Sequence, residues 1–204
     1  MDKVSVYIDF KSPYSYVAVQ PLIALSHSEN IGLEWFPYAL QLNRVGPSGE
    51  HEVMYPIHKI RYMYMDVRRF AIAQGLIIKG PEKIFDGTFS AIGMLYAQKH
   101  SVFETYRDIV FERFFKRDLN IDSAEEIAAV IQSAGADARG FLEFLAGEGR
   151  LQQAAIQAKA EQLGVFGVPS MLYQGELFWG GDRLEVLRER IRASKALQTP
   201  LVGQ

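Results

Sequence analysis

Cysteine is absent from all 204 residues. That excludes disulfides, thiolate metal ligands, a cysteine nucleophile and dithiol redox chemistry carried by this chain alone. Any thiol chemistry has to use a thiol brought in by a ligand. An excess of charge of one sign is also missing: 22 Lys and Arg face 24 Asp and Glu, for a net charge of −2. Such a balance gives no basic footprint for nucleic acid or for an anionic membrane surface. No apolar run approaches the roughly 18 residues of a membrane span. The opening MDKVSVYIDF runs straight into a strand pattern instead of a leader layout, so a cytoplasmic location is expected. Neither a P-loop nor a GxGxxG fingerprint occurs. Histidine is scarce, four in all, and the nearest two, His51 and His58, are not at a recognised ligand spacing. No metal site is expected.

What is present is an ordinary globular composition, 49% hydrophobic, built around Val4 to Tyr16. Val4, Val6 and Ile8 alternate with Ser5 and Tyr7, the period of a strand. Ser12 is a good N-cap and Pro13 a good first helical residue, because the missing proline N–H costs nothing there. One hydroxyl is thereby presented at a helix N-terminus, beside free main-chain N–H groups and the positive end of the helix dipole, a place suited to an anion. Ser-Pro starts are also common as purely structural caps, and these residues alone do not separate the two roles.

Further elements follow in order. The first helix spans 13–28, with Pro21 predicting a kink or early break. Asn30-Ile31-Gly32 is a turn, and Leu33 to Leu40 a second strand that Pro37 confines to an edge or ends near Phe36. Residues 42–55, with Gly46-Pro47-Ser48-Gly49, read as a loop. Helices are expected over 57–75, 89–100, 103–115, 127–134, 137–146 and 150–163, the fourth opened by a capping box at Ser123 and Glu126. Ser170–Tyr173 and Glu176–Trp179 around Gln174-Gly175 make a hairpin. Gly180-Gly181 breaks it, and Asp182 is expected as the N-cap of a last helix over 183–196. The order β-α-β, helical block, β-β-α is the pattern of an α/β thioredoxin-like fold with a large all-helical insertion. The expected division is 1–40 with 164–204 as a discontinuous thioredoxin-like domain, and 41–163 as the helical insertion.

DFKSPYSY at 9–16 resembles the start of 2-hydroxychromene-2-carboxylate isomerases and kappa-class glutathione transferases, within the DsbA-like thioredoxin superfamily. GVFGVPSMLYQGELFWGGDRLEVL at 164–187 resembles their C-terminal signature, and KIRYMYMDVRRFAIAQGL at 59–76 their first insertion helix. Weaker similarity runs through 114–137, so the resemblance covers essentially the whole chain. It implies that Ser12-Pro13-Tyr14-Ser15 stands where dithiol relatives have Cys-Pro-x-Cys. It implies too that Ser12 holds the sulfur of bound glutathione, whose free thiol has a pKa of about 8.5 and is raised in thiolate fraction by a hydroxyl and a helix N-terminus.

By the same resemblance Val168-Pro169 is the cis-proline loop, whose main chain pairs with glutathione like an added strand. Gly181, Asp182 and Arg183 receive its γ-glutamyl end, and Lys59 is a further contact. Many kappa enzymes have serine where this chain has Gly181, and GEHEVMYP at 49–56 replaces the family's Gly-Asn-x-Pro-Pro, removing an asparagine contact. The implied function is a glutathione-dependent isomerase acting on an aromatic-derived carboxylic acid by reversible thiolate addition, with bond rotation and return of the cofactor. Tyr14, Phe36 and Tyr62 are the candidate apolar wall for that substrate, and core packing accounts for each equally well. The alternatives are a kappa-like glutathione transferase acting on an electrophile, and a non-catalytic DsbA-like binding scaffold. A homodimer is expected from the family alone.

Overall fold

A computed structural model describes residues 2–40, 43–45, 51–53 and 57–198. The chain order is β1 (Lys3–Ile8), α1 (Pro13–Glu29), β2 (Gly32–Pro37), β3 (Asn43–Val45), β4 (His51–Val53), α2 (Ile57–Ala73), α3 (Thr88–Lys99), α4 (Phe103–Phe115), α5 (Ala124–Ala134), α6 (Ala138–Ala146), α7 (Glu148–Gln162), β5 (Ser170–Tyr173), β6 (Glu176–Trp179), a 3-10 turn (Gly181–Arg183) and α8 (Leu184–Gln198). The α/β thioredoxin-like reading holds, since the two halves join in one sheet of order β2-β1-β5-β6. β1 runs parallel to β2 and antiparallel to β5, and β5 pairs antiparallel with β6. The register follows the burial pattern. Val4, Val6 and Ile8 enter the main core with Leu22 and Leu25 of α1 and Leu187 and Ile191 of α8, while Tyr7 turns to the opposite face against Tyr38, Val165 and Val168. Pro37 falls on an edge strand, where a missing N–H breaks no ladder.

Several local expectations change for physical reasons. α1 passes through Pro21 without a break. A proline leaves the carbonyl four residues earlier without its donor, and here the Gln74 side-chain amide of the loop after α2 donates to the Val17 carbonyl at 2.9 Å. The stretch expected as a loop contains the short antiparallel pair β3–β4, with Val45 opposite His51. Its turn-forming Gly46-Pro47-Ser48-Gly49 lies outside the described residues. Asp182 is not the N-cap of the last helix: the chain leaves Gly180 (φ +97°) through the 3-10 turn, so Asp182 sits inside that turn and its carboxylate pairs with Arg183 at 2.7 Å. Arg183 therefore pairs with its neighbour. The Gln174-Gly175 turn does form, both residues having positive φ as a tight hairpin turn requires.

The helical block and the sheet share one apolar core. Phe10 lies 4.8 Å from Phe111 of α4, Tyr16 stacks on Phe111 and Phe115 at 5.1 and 5.4 Å, and Trp35 lies 5.9 Å from Phe103. α8 is clamped to α1 by polar contacts. The buried Glu29 carboxylate accepts from Arg192 Nη2 at 2.7 Å and Nε at 3.0 Å, and from Arg188 Nη1 at 3.5 Å. Arg192's hydrogen bonds, with the charges of Arg192, Arg188 and Lys195, hold the Glu29 carboxyl below its usual range against the opposing effect of burial. A carboxyl whose folded pKa is depressed stabilises the fold above its unfolded pKa, about 4.3, and that contribution is lost as pH falls through the folded value. Glu29→Gln is accordingly expected to lower Tm by roughly 3–8 °C at pH 7, with the gap to wild type closing below about pH 4. Thermal melts across that range check it, and a gap independent of pH would refute the ionic account.

Candidate active site

Three loops meet at one end of the sheet. Ser12 leads out of β1, while Ser170 pairs with Tyr7 and Trp179 with Ser170, so Val168–Pro169 and Gly180–Arg183 also lie beyond the C-terminal end of β1. Ser12 caps α1 in extended geometry (φ −87°, ψ 114°), with Pro13 following. It is buried, 5% exposed, and its Oγ accepts the Ser15 N–H at 3.2 Å. Capping occupies a lone pair of the hydroxyl and leaves its hydrogen to donate to something else. Ser15 turns inward, its Oγ accepting the Asp9 N–H at 3.4 Å.

Tyr14 points to the insertion. Its hydroxyl donates to Asp66 Oδ2 at 3.0 Å, and Asp66 Oδ1 accepts from Arg69 at 3.0 Å. Burial, then Asp66, then the nearby Tyr62 and Asp182 push the Tyr14 hydroxyl well above its usual range, so it stays protonated at neutral pH. Tyr62 and Asp182 are thus near enough to act on the Tyr14 hydroxyl, which Asp66 holds directly. Lys59, Tyr62 and Asp66 recur at helical spacing on one face of α2, the face whose Asp66 meets Tyr14. Tyr62 is 55% exposed. Phe36 is elsewhere. Its ring stacks on Tyr7 at 5.3 Å and lines a groove of about 370 Å³ with Ser5, Ile156 and Leu172, on the sheet face that Tyr7 shares.

The Val168–Pro169 bond is cis. Val168 packs its side chain against Tyr7, Tyr38 and Val165, yet neither its N–H nor its C=O has a main-chain partner among the described residues. The Pro169 carbonyl accepts from Gly180 N–H at 2.9 Å, tying this loop to the exit of β6. A Cβ on Gly181 would meet only Ala18 Cβ, at 3.7 Å, so a side chain fits there. The Asp182 side chain is exposed, as is Arg183 beside it, and an exposed pair of this kind is readily exchanged for a ligand.

Sequence reading overlooked a buried ion pair next to the serine. Lys11 Nζ lies 2.8 Å from Asp9 Oδ2, the two side chains 4% and 3% exposed. The Asp9 carboxylate also accepts the N–H groups of Lys11 at 3.0 Å and Leu40 at 2.7 Å. The available signal was two opposite charges at i and i+2 closing an apolar strand, where alternate residues share a side.

A thioredoxin-type sheet with a serine at the helix start and a cis-proline opposite defines a thioredoxin-fold protein without the dithiol. The DSBA-like thioredoxin domain model matches residues 3–192, and the chain belongs to that family. It is 28% identical over 192 residues to the 2-hydroxychromene-2-carboxylate isomerase of Sphingobium xenophagum, covering 90% of this chain and 95% of that one. It is also 28% identical to the Pseudomonas putida enzyme of the same name, over 195 residues, 90% of this chain and 91% of that one. A solved 2-hydroxychromene-2-carboxylate isomerase structure superposes with a TM-score of 0.78 at 26% identity, covering 97% of this chain and 99% of that one. Among the described residues no helix is long and apolar enough to cross a membrane.

Proposed function

We propose that this chain is a glutathione-dependent isomerase acting on an aromatic-derived carboxylic acid, as its isomerase-named relatives suggest. The observation that carries the reading is the Ser12 hydroxyl: in a chain without cysteine it caps α1 with its oxygen and keeps its hydrogen for an anion. The residues present fit glutathione by donor chemistry. Ser12 and the N-terminus of α1 favour a thiolate over a thiol. The unpaired main-chain groups of Val168 suit a strand-like partner. Main-chain N–H groups around Gly181 suit a carboxylate, Asp182 an ammonium, and Lys59 on α2 a second carboxylate. When bound, glutathione supplies the nucleophile for reversible addition to a conjugated acid.

Tyr14 on α1 and Tyr62 on α2 are the wall proposed for the aromatic portion, with the Tyr14 hydroxyl held neutral and oriented by Asp66. Phe36, on the Tyr7 face, is left out of that wall.

Calorimetry of glutathione against wild type and Ser12→Ala tests the reading. Binding by wild type that weakens in the variant supports it, and an isomerisation assay against a conjugation assay then separates isomerase from kappa-like transferase. Absence of binding at millimolar glutathione would favour the non-catalytic scaffold. Gly181→Ser is expected to leave Tm unchanged, given the open space at its Cβ, and to strengthen glutathione binding by adding a donor; a fall in Tm or in affinity would contradict it. The homodimer is proposed on resemblance, and sedimentation at micromolar concentration tests it.

A further inference from the structure

Asp9 and Lys11 take no part in that scheme, yet they sit directly behind Ser12. Asp9 is the anchor of this corner. Its main-chain carbonyl accepts from Ser12 N–H at 3.0 Å, its N–H reaches Ser15 Oγ, and its carboxylate takes the N–H groups of Lys11 and Leu40. The end of β1, the start of α1 and the chain leaving β2 are thus fixed to one carboxylate. A buried carboxylate one hydrogen-bonded turn from Ser12 opposes the binding of any anion there, because like charges in a low-dielectric interior repel strongly.

Lys11 removes that opposition. Its Nζ bonds Asp9 Oδ2 at 2.8 Å and also the Asp86 carbonyl at 2.8 Å, at the entry to α3. Gly87 covers the pair with bare backbone. Its φ is +77°, and an added Cβ would stand 3.3 Å from Lys11 Nζ and 3.5 Å from Asp9 Oδ1. A buried ion pair is commonly no better for stability than apolar residues of the same volume, so stability alone does not require a lysine in this position.

We propose that Lys11 is a counter-charge: it neutralises the structural carboxylate of Asp9 so that the Ser12 site can hold an anionic sulfur. The inference rests on the glutathione reading. Lys11 acts through the field at Ser12 and touches no substrate, so it is a positioning residue. Three of the charged groups around this corner are themselves paired. Asp122, which accepts the N–H groups of Asp86 and Gly87, lies 3.2 Å from Lys83. Asp66 is paired with Arg69, and Asp182 with Arg183. Asp86 faces the pair through its carbonyl. Removing one partner of Asp9–Lys11 therefore changes the local charge by a full unit.

The test is the pKa of the bound glutathione thiol, followed by ultraviolet thiolate absorbance during a pH titration at saturating glutathione. Lys11→Met leaves the Asp9 charge uncancelled and should raise that pKa by about one unit. Asp9→Asn leaves the lysine charge and should lower it. The double variant Asp9→Asn/Lys11→Met restores neutrality and should return it close to wild type. A purely structural role would move both single variants upward by disturbing Ser12, and that result, or a wild-type pKa in Lys11→Met, overturns the proposal. If Lys11→Met does not fold, the sign of Asp9→Asn and the value in the double variant decide. Failure of the glutathione reading is a separate outcome, seen as no thiolate signal and no binding in the wild type.

Discussion

Replacing Ser12 with alanine is expected to lower turnover at least tenfold at saturating glutathione. A hydrogen bond to a charged group contributes about 1.5–3 kcal/mol, and about 1.4 kcal/mol of lost stabilisation is already a factor of ten. The same serine is the N-cap of α1, bonded to Ser15 N–H, so alanine also costs about 1 kcal/mol of stability and roughly 2–4 °C in Tm. The two roles separate with glycine, which at an N-cap costs only a few tenths of a kcal/mol. Ser12→Gly should melt close to wild type and turn over as poorly as Ser12→Ala, while Ser12→Thr, which keeps a hydroxyl, should recover much of the rate. Steady-state kinetics beside thermal melts read both. Wild-type turnover in the glycine variant would reduce Ser12 to a cap.

The visible role of Ser12 is that of a cap, and a cap is all that its local sequence had to specify. Local signals carried well: the alternation of β1, the Ser-Pro helix start and the Gln174-Gly175 hairpin are set by residues within a few positions of one another. Readings that depended on distant partners did not carry. Pro21 predicted a kink or early break, and the break does not occur: the carbonyl it vacates is satisfied by Gln74, far along the chain. Asp182 has the chemistry of a cap, but Gly180 and Gly181 let the backbone enter a 3-10 turn first, so no helical N–H comes within its reach. Tyr14 and Phe36 were equivalent as aromatic candidates, and their elements separate them: Phe36 in β2 pairs with Tyr7 and stacks on it across one sheet face, whereas Tyr14 in the first turn of α1 finds Asp66 on α2. Lys11, a lone lysine after a strand, was not singled out in the sequence. Its burial depends on Asp86 and Gly87 arriving from the insertion.

That dependence of the serine corner on the insertion is tested most strongly at Phe111. Its ring is 1% exposed and lies against Phe10, which stands between Asp9 and Lys11, and against Tyr16, one turn beyond Ser12. α4 thus grips both flanks of the Ser12 turn through one side chain. Truncating a buried phenylalanine to alanine costs about 3–5 kcal/mol, the lost transfer energy plus a cavity that the surroundings fill only in part. For a chain of this size that is roughly 6–20 °C in Tm. The core around Phe111 is continuous from the sheet into α3, α4 and α5, so the loss should appear as one cooperative transition moved to lower temperature. A shift below about 2 °C would mean that the cavity closes by repacking and that Phe111 is not the link. Two separated transitions would mean that the helical block and the sheet unfold independently. In that case the contacts of Asp9 and Lys11 with Leu40, Asp86 and Gly87 could be lost without melting the sheet, and Ser12 would be held by its own helix alone.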